Sequence, residues 1–313
     1  MMSILRKELD QYLDFRRKRG FALDQAAGML DSFVRFLEQQ GCEIISSELC
    51  ARWNAKHPAS HNTMQQRAIA IRGFARWLRN FDLRHEVPPP YRGGLGKNRP
   101  KPHIYTDGEI AALLEQSAKI QSPRGLRRVT YPVLWALLHV TGLRIGEALA
   151  IDLGYIDFQA GTIRIAPQKG AYERLVPLDA TTVDALRVYV RRRNRLLGRI
   201  PTCLFADEHG VRLTYPAVST TFAEVSKAIG LRPAGAKMGA GPRIHDLRHT
   251  FAVNTLKRWY AEGKDVKQHI LTLVDVLGHT TLRDTYWYLE AVPELLHLAS
   301  RRLESYLAEG QPS

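Results

Sequence analysis

Two hydrophobic periods divide this sequence, and their order restricts what it can fold into. From residue 3 to 90 apolar residues recur every three or four positions, as in Leu5, Leu9, Tyr12 and Leu13 and again in Leu30, Phe33, Val34, Phe36 and Leu37, which is the repeat of amphipathic helices. Between residues 155 and 178 the period falls to two. Tyr155-Ile156-Asp157-Phe158, Thr162-Ile163-Arg164-Ile165 and Arg174-Leu175-Val176-Pro177-Leu178 alternate around a Gln-Ala-Gly turn and a Pro-Gln-Lys-Gly-Ala turn, as short antiparallel strands do. Helical spacing then resumes. The fold class is therefore mainly α, with a small antiparallel β-sheet set inside a helical domain.

Stop and cap signals place the helices. Gly20 and Gly41, with Ser46/Ser47 and Ser60/Asn62 as N-caps, give helices at 3–18, 22–40, 46–56 and 61–81. Later helices are expected at 107–117, opened by Thr106 or Asp107, and at 127–141, 180–197, 214–229, 246–263, 265–277 and 293–308. The stretch from Val87 to Pro102 is rich in Pro, Gly and positive charge and poor in core residues, so it reads as a basic linker. The expected organisation is a helical N-terminal domain over 1–90, a linker over 91–104, and a second domain over 105–313.

Charge narrows the partner. The chain of 313 residues carries 45 Lys+Arg against 31 Asp+Glu, a formal net charge of +14. Nine of those cations, against two acids, fall between residues 60 and 101. Solvated helix faces usually interleave both signs, so Arg67, Arg72, Arg76 and Arg79, with Lys97, Arg99 and Lys101, read as a phosphate-tracking surface. The longest apolar stretch, Tyr131 to Leu143, is shorter than the ~20 residues of a membrane span. The N-terminus lacks an export signal, and three scattered cysteines suggest neither a disulfide frame nor redox chemistry. A cytoplasmic protein without a membrane partner is expected.

Three separated segments hold polar residues that a helical core would not select. Arg144 lies three residues before Glu147, close enough on a helix for the carboxylate to orient the guanidinium. His245, Arg248 and His249 share a helix face opposite Leu247 and Phe251, and His245 with Arg248 near a helix start forms a site for an anion. His249 reads more simply as a satisfied helix histidine. His279 occupies a turn after Gly278. Tyr286 and Tyr288 follow it, and on one helix they point about 200° apart, so both cannot be core.

Together these segments resemble the tyrosine recombinase, or phage integrase, superfamily. The resemblance rests on Thr141-Gly142-Leu143-Arg144 with Gly146-Glu147, a lysine on the hairpin, His245-Asp246-Leu247-Arg248-His249, Leu277-Gly278-His279, and Tyr288 nine residues beyond His279. It covers about 105–300 and, by architecture, a helical N-terminal domain of core-binding, SAM-like type. The resemblance implies a site-specific recombinase that cleaves and rejoins double-stranded DNA through a 3′-phosphotyrosyl link. By position it assigns Arg144 and Arg248 to the scissile phosphate and Lys169 to the leaving 5′ oxygen. His245 would assist proton transfer at the tyrosine, His279 would donate to a phosphate oxygen, and Tyr288 would be the nucleophile, with Glu147 and His249 in support. No metal, ATP or other cofactor is implied. The family's C-terminal element docks in trans, which implies a homo-oligomer, a tetramer on DNA, with or without partner recombinases. The Thr-Tyr-Trp-Tyr-Leu run is similar to a transposon-associated branch, and a nucleoid-associated location follows from the substrate.

Rival readings use the same residues. His245 and His249 could form a zinc pair with His279 or an acid, but Asp246 stands where such protease helices place a glutamate, and Arg248 disfavours a bound dication. A type IB topoisomerase would share the chemistry without exchanging strands. A DNA-binding protein without activity is the third alternative.

Overall fold

The structure, a computed structural model, describes residues 3–21, 23–92, 102–167, 173–233 and 241–278, with residues 281 and 285. The chain divides into two compact units, Met1–Pro100 and Lys101–Ser313.

The first unit is built from α1 (Ile4–Lys18), α2 (Asp24–Gln39), α3 (Ser47–Lys56) and α4 (His61–Arg79). Three of the four start on a serine whose hydroxyl accepts a first-turn amide: Ser3 from Arg6, Ser46 from Leu49 and Ser60 from Thr63. Each cap satisfies a donor that the helix itself leaves orphaned. The residues at helical spacing are the ones that meet inside: Leu5, Leu9 and Tyr12 of α1, Phe33, Val34 and Leu37 of α2, Trp53 of α3, and Ile71, Phe74 and Leu78 of α4. The Phe33 and Trp53 rings meet edge to face at 5.3 Å, a geometry that their quadrupoles favour.

After α4 the chain returns to α3 through His85, whose buried Nδ1 accepts the Ile45 amide at 3.1 Å. Burial is the main influence on this imidazole and holds its pKa below the ordinary value, with Arg84 adding to and Asp82 opposing the shift. The folded chain thus keeps His85 neutral, whereas the unfolded chain protonates it near ~6.5. The stability this provides is complete above that unfolded value and is lost as pH falls through the depressed folded one. The melting temperature should therefore drop between about pH 7 and about pH 5. His85→Gln, which keeps an acceptor but cannot titrate, should shrink that drop without abolishing it, because His139 and His245 are shifted in the same direction. Thermal melts across this range check it, and an unchanged drop would locate the sensitivity elsewhere.

In the second unit α5 (Asp107–Ser117) opens on a full capping box between Thr106 and Glu109. Next come α6 (Leu126–Thr141), a six-residue α7 (Ile145–Ala150), and the sheet of β1 (Ile156–Asp157), β2 (Thr162–Ile165) and β3 (Arg174–Pro177), antiparallel in that order. Ile163 pairs with Ile156 on one side and Val176 on the other. These three are buried while Arg164 and Leu175 face out, so one sheet face is core and the other wet. Then follow α8 (Ala180–Leu197), α9 (Tyr215–Ala228), α10 (Ile244–Ala261) and α11 (Val266–Leu277). The main core gathers Leu113 of α5, Leu134 and Trp135 of α6, Tyr189 of α8, Phe222 of α9 and Leu247 of α10, and a smaller core joins α10 to α11 through Val253, Leu256, Leu273 and Leu277.

Two expectations differ from what is seen. The short α7 is absent from the sequence reading, because six residues are too few to display a period. On α10, Arg248, His249 and Thr250 are buried along with Leu247, Ala252 and Val253. The expected division into a polar and an apolar face gives way to a first half enclosed on nearly every side after the exposed His245, with Asn254, Arg258 and Ala261 exposed further along. Among the described residues no helix is long and apolar enough to cross a membrane.

Candidate active site

The Thr-Gly-Leu-Arg segment ends α6 and begins α7. The Thr141 hydroxyl donates to the Leu137 carbonyl, which turns it back into its own helix. Gly142 has φ +64°, and a side chain there would fall on the Phe251 ring and on Leu277, so both the turn and the packing require glycine. Leu143 is buried. Arg144, in extended backbone, is then the N-cap residue of α7, and Glu147 accepts its amide at 2.8 Å and its Nη1 at 3.0 Å. The sequence-expected pairing of Arg144 with Glu147 is present, and its local cause is the first turn of this helix.

Arg243 and Asp246 repeat the device at the start of α10. Asp246 accepts the Arg243 amide at 2.8 Å and its Nη2 at 2.9 Å. This fixes the first turn, so that His245 stays open while Arg248, one turn on, points inward.

The site converges on the C-terminus of α11. The last carbonyls of a helix lack intrahelical partners and carry its negative dipole end, and here three guanidiniums reach them. Arg174 Nε donates to the Val276 carbonyl at 3.0 Å. Arg248 Nη2 and Arg144 Nη1 both donate to the Leu277 carbonyl, at 2.6 and 3.4 Å. Arg144 Nη2 donates to the Gly278 carbonyl at 2.9 Å, and Arg248 Nη1 donates to that of Gly142 at 2.8 Å. Arg248 is 1% exposed, whereas the Arg144 side chain is 39% exposed.

Glu147 lies beneath this cluster, its side chain 3% exposed. Burial pushes its pKa up, but the bonds from Arg174 and from the Arg144 amide, with both cations nearby, hold it below the usual carboxylate range. It is a fixed anion. The His245 ring stands 4.6 Å from the buried His249 ring, edge to face. Although His245 is open on one side, the protein packed around it, and next Arg248, push its pKa down to about 4 despite Asp246. It is neutral at pH 7, with a nitrogen able to take a proton.

Arg144, Glu147, His245, Arg248 and His249 are thus brought together in one place. Lys169, His279, Tyr286 and Tyr288, the basic residues Lys97, Arg99 and Lys101, and the helix expected at 293–308 lie outside the described residues. Among the described residues no cluster of three or more His, Cys, Asp or Glu is arranged to hold a metal. In the first unit, Arg76 and Arg79 are exposed. Arg67 lies over the Trp53 ring and donates to the His57 carbonyl, and Arg72 donates to the Pro88 carbonyl. The residue that sequence reasoning missed is Arg174. Alternation along β3 puts it on the same side as Val176, but nothing local marks what it meets there.

A mainly helical domain with a three-stranded sheet and clustered guanidiniums defines a phosphate-handling class, and comparison with known proteins names it. Residues 105–294 match the phage integrase family. A protein named as an integrase/recombinase, y4rB of Sinorhizobium fredii, is 38% identical over 97% of this chain and 98% of its own length. The tyrosine recombinase XerC of Chlamydia caviae is 29% identical, over 83% of this chain and 85% of its own. Among solved structures, the Tn1549 transposon integrase in complex with transposon right end DNA aligns with a TM-score of 0.65 at 17% identity, covering 95% of this chain and 99% of that one, which is a likeness of fold. The chain belongs to the phage integrase family.

Proposed function

We propose that the arginine cluster at the end of α11 is where this protein breaks and rejoins DNA. The protein is a site-specific DNA recombinase of the tyrosine class. The observation that carries the placement is the convergence of Arg144 and Arg248 on one oxygen, the Leu277 carbonyl. A scissile phosphate presents non-bridging oxygens of the same kind with a full negative charge, and planar guanidinium forks suit it better than they suit a carbonyl. As charge builds in the pentacoordinate transition state, such pre-set donors stabilise it without reorganising.

The steps are assigned as follows. The Tyr288 oxygen attacks phosphorus, its proton passing towards His245. The bond from phosphorus to the 5′ oxygen breaks, and Lys169 protonates that oxygen, leaving a 3′-phosphotyrosyl link and a 5′ hydroxyl. The reverse attack by the 5′ hydroxyl of another strand completes exchange. His279 donates to a phosphate oxygen. His245 is neutral and so can accept a proton, though its depressed pKa makes it a weak base until charge at the site changes. No metal has a part in these steps. The first unit is assigned to gripping the duplex, with exposed Arg76 and Arg79 as its best-placed phosphate contacts, and four subunits are assigned to one synapse.

The test is covalent trapping. Duplexes from the DNA flanking the gene, nicked near the cleavage point so that the released end diffuses away, should yield an SDS-resistant protein–DNA product in excess EDTA. Complete loss of that product in EDTA, with recovery on adding back a divalent metal, would overturn the metal-free assignment.

A further inference from the structure

The β3 arginine, Arg174, belongs to no step above, yet all of its guanidinium nitrogens are engaged at the site. Its Nη1 and Nη2 donate to Glu147 Oε1 and Oε2 as a bidentate pair at 3.1 and 2.8 Å, and its Nε donates to the Val276 carbonyl at 3.0 Å. All three of its guanidinium nitrogens donate to acceptors within the protein. A Cβ on Gly278 would stand 2.7 Å from Arg174 Nη1, so the guanidinium lies flat against the glycine that precedes His279 and requires a residue without a side chain there.

We propose that Arg174 is a positioning residue for strand cleavage, acting through Glu147 on Arg144 and through Val276 and Gly278 on the turn that leads to His279. This rests on the recombinase site assigned above. The physical reason is competition for one carboxylate. Glu147 is shared by two guanidiniums, and the bidentate pairing goes to Arg174, leaving Arg144 a single bond from its side chain to the carboxylate. The carboxylate anchors Arg144 without fully neutralising it. Were Arg174 absent, Glu147 would be free to pair bidentately with Arg144, withdrawing charge and donors from the phosphate. A planar fork is needed for this, and lysine, a point charge with one nitrogen, cannot span both oxygens and the carbonyl.

Arg174→Gln should slow covalent product formation at saturating DNA by about a hundredfold, with Kd changed by less than about threefold. Arg174→Lys should recover less than a tenth of the wild-type rate, although it keeps the charge. In the double variant with Arg144→Lys, the rate should be no lower than about threefold below that of Arg144→Lys alone, because both changes disable one unit. Leu175→Ala, at the exposed neighbouring position, should react as wild type. Three results overturn the role: a wild-type rate in Arg174→Gln, full rescue by Arg174→Lys, or losses that multiply in the double variant. A parallel fall of rate, affinity and melting temperature in both Arg174 variants would reduce Arg174 to fold stability and also overturns it. If the wild type itself forms no covalent product, the recombinase site fails first. The positioning role is then read from a crystal structure of Arg174→Gln, where Glu147 should turn to pair bidentately with Arg144, and an unmoved Glu147 refutes it.

Discussion

Tyr288→Phe is expected to abolish the covalent protein–DNA product, a loss of roughly 10⁴-fold or more, while binding the same duplex with affinity within about twofold of wild type. The substitution removes one oxygen. The groups assigned to gripping DNA, the arginine cluster and the basic helix of the first unit, remain. The arginines carry no nucleophile, and His245 is assigned to take the tyrosine's proton, so a product persisting in Tyr288→Phe would point to a different attacking group. Tyr286→Phe is the matched control and should leave the product intact. The sequence supports the choice between them, since only Tyr288 stands nine residues after His279. Denaturing gels of a nicked substrate give the first measurement, and equilibrium binding gives the second. If Tyr286→Phe abolishes the product and Tyr288→Phe does not, the nucleophile is Tyr286.

What the sequence revealed and what it concealed follow one physical line. Helices with a wet side and a dry side declare themselves by period, so α1, α4 and α8 lie within two residues of their expected ends. The strands declared themselves by alternation, Ile163 against Arg164 and Ile165. Period located α10 within two residues but not which of its faces is buried, because Arg248, His249 and Thr250 are enclosed beside Leu247, and it failed where an element is too short, as with α7. Arg144 and Glu147 were legible as a pair because a first-turn carboxylate three residues on can reach the N-cap. Arg174 was not, because its partners, Glu147 and Val276, are 27 and 102 residues away and no local pattern encodes so distant a contact. The glycines of the two motifs show the same limit. Spacing identifies Gly142 and Gly278, but the reasons for them, Phe251 beside one and Arg174 over the other, exist only in the folded chain. Charge density pointed to the basic helix α4, yet Arg67 and Arg72 are committed to carbonyls of their own unit. A count of cations cannot separate these from exposed Arg76 and Arg79.

Arg144→Lys should slow product formation by about 10²–10³-fold at saturating DNA, the usual cost of removing one pre-set donor from a transition-state anion. Affinity should fall far less, because the positive charge that attracts a phosphate in the ground state is retained. Arg144 is the clean position for this test because of how it is held. Its amide stays on Glu147 whatever its side chain is, so the first turn of α7 survives the change. Its guanidinium is the more exposed of the two that meet at the Leu277 carbonyl, so its replacement leaves no large void. Arg248 is a poorer probe, since its bonds to Gly142 and Leu277 tie the end of α6 to the end of α11, and losing them would confound catalysis with stability. A lysine at 144 can point one ammonium at Glu147 or at the phosphate, but it cannot hold both in the plane of a fork. The rate should therefore fall while the melting temperature stays within a few degrees of wild type. If rate and Kd instead weaken by the same factor, Arg144 acts as a ground-state anchor, and the transition-state role assigned to it is wrong.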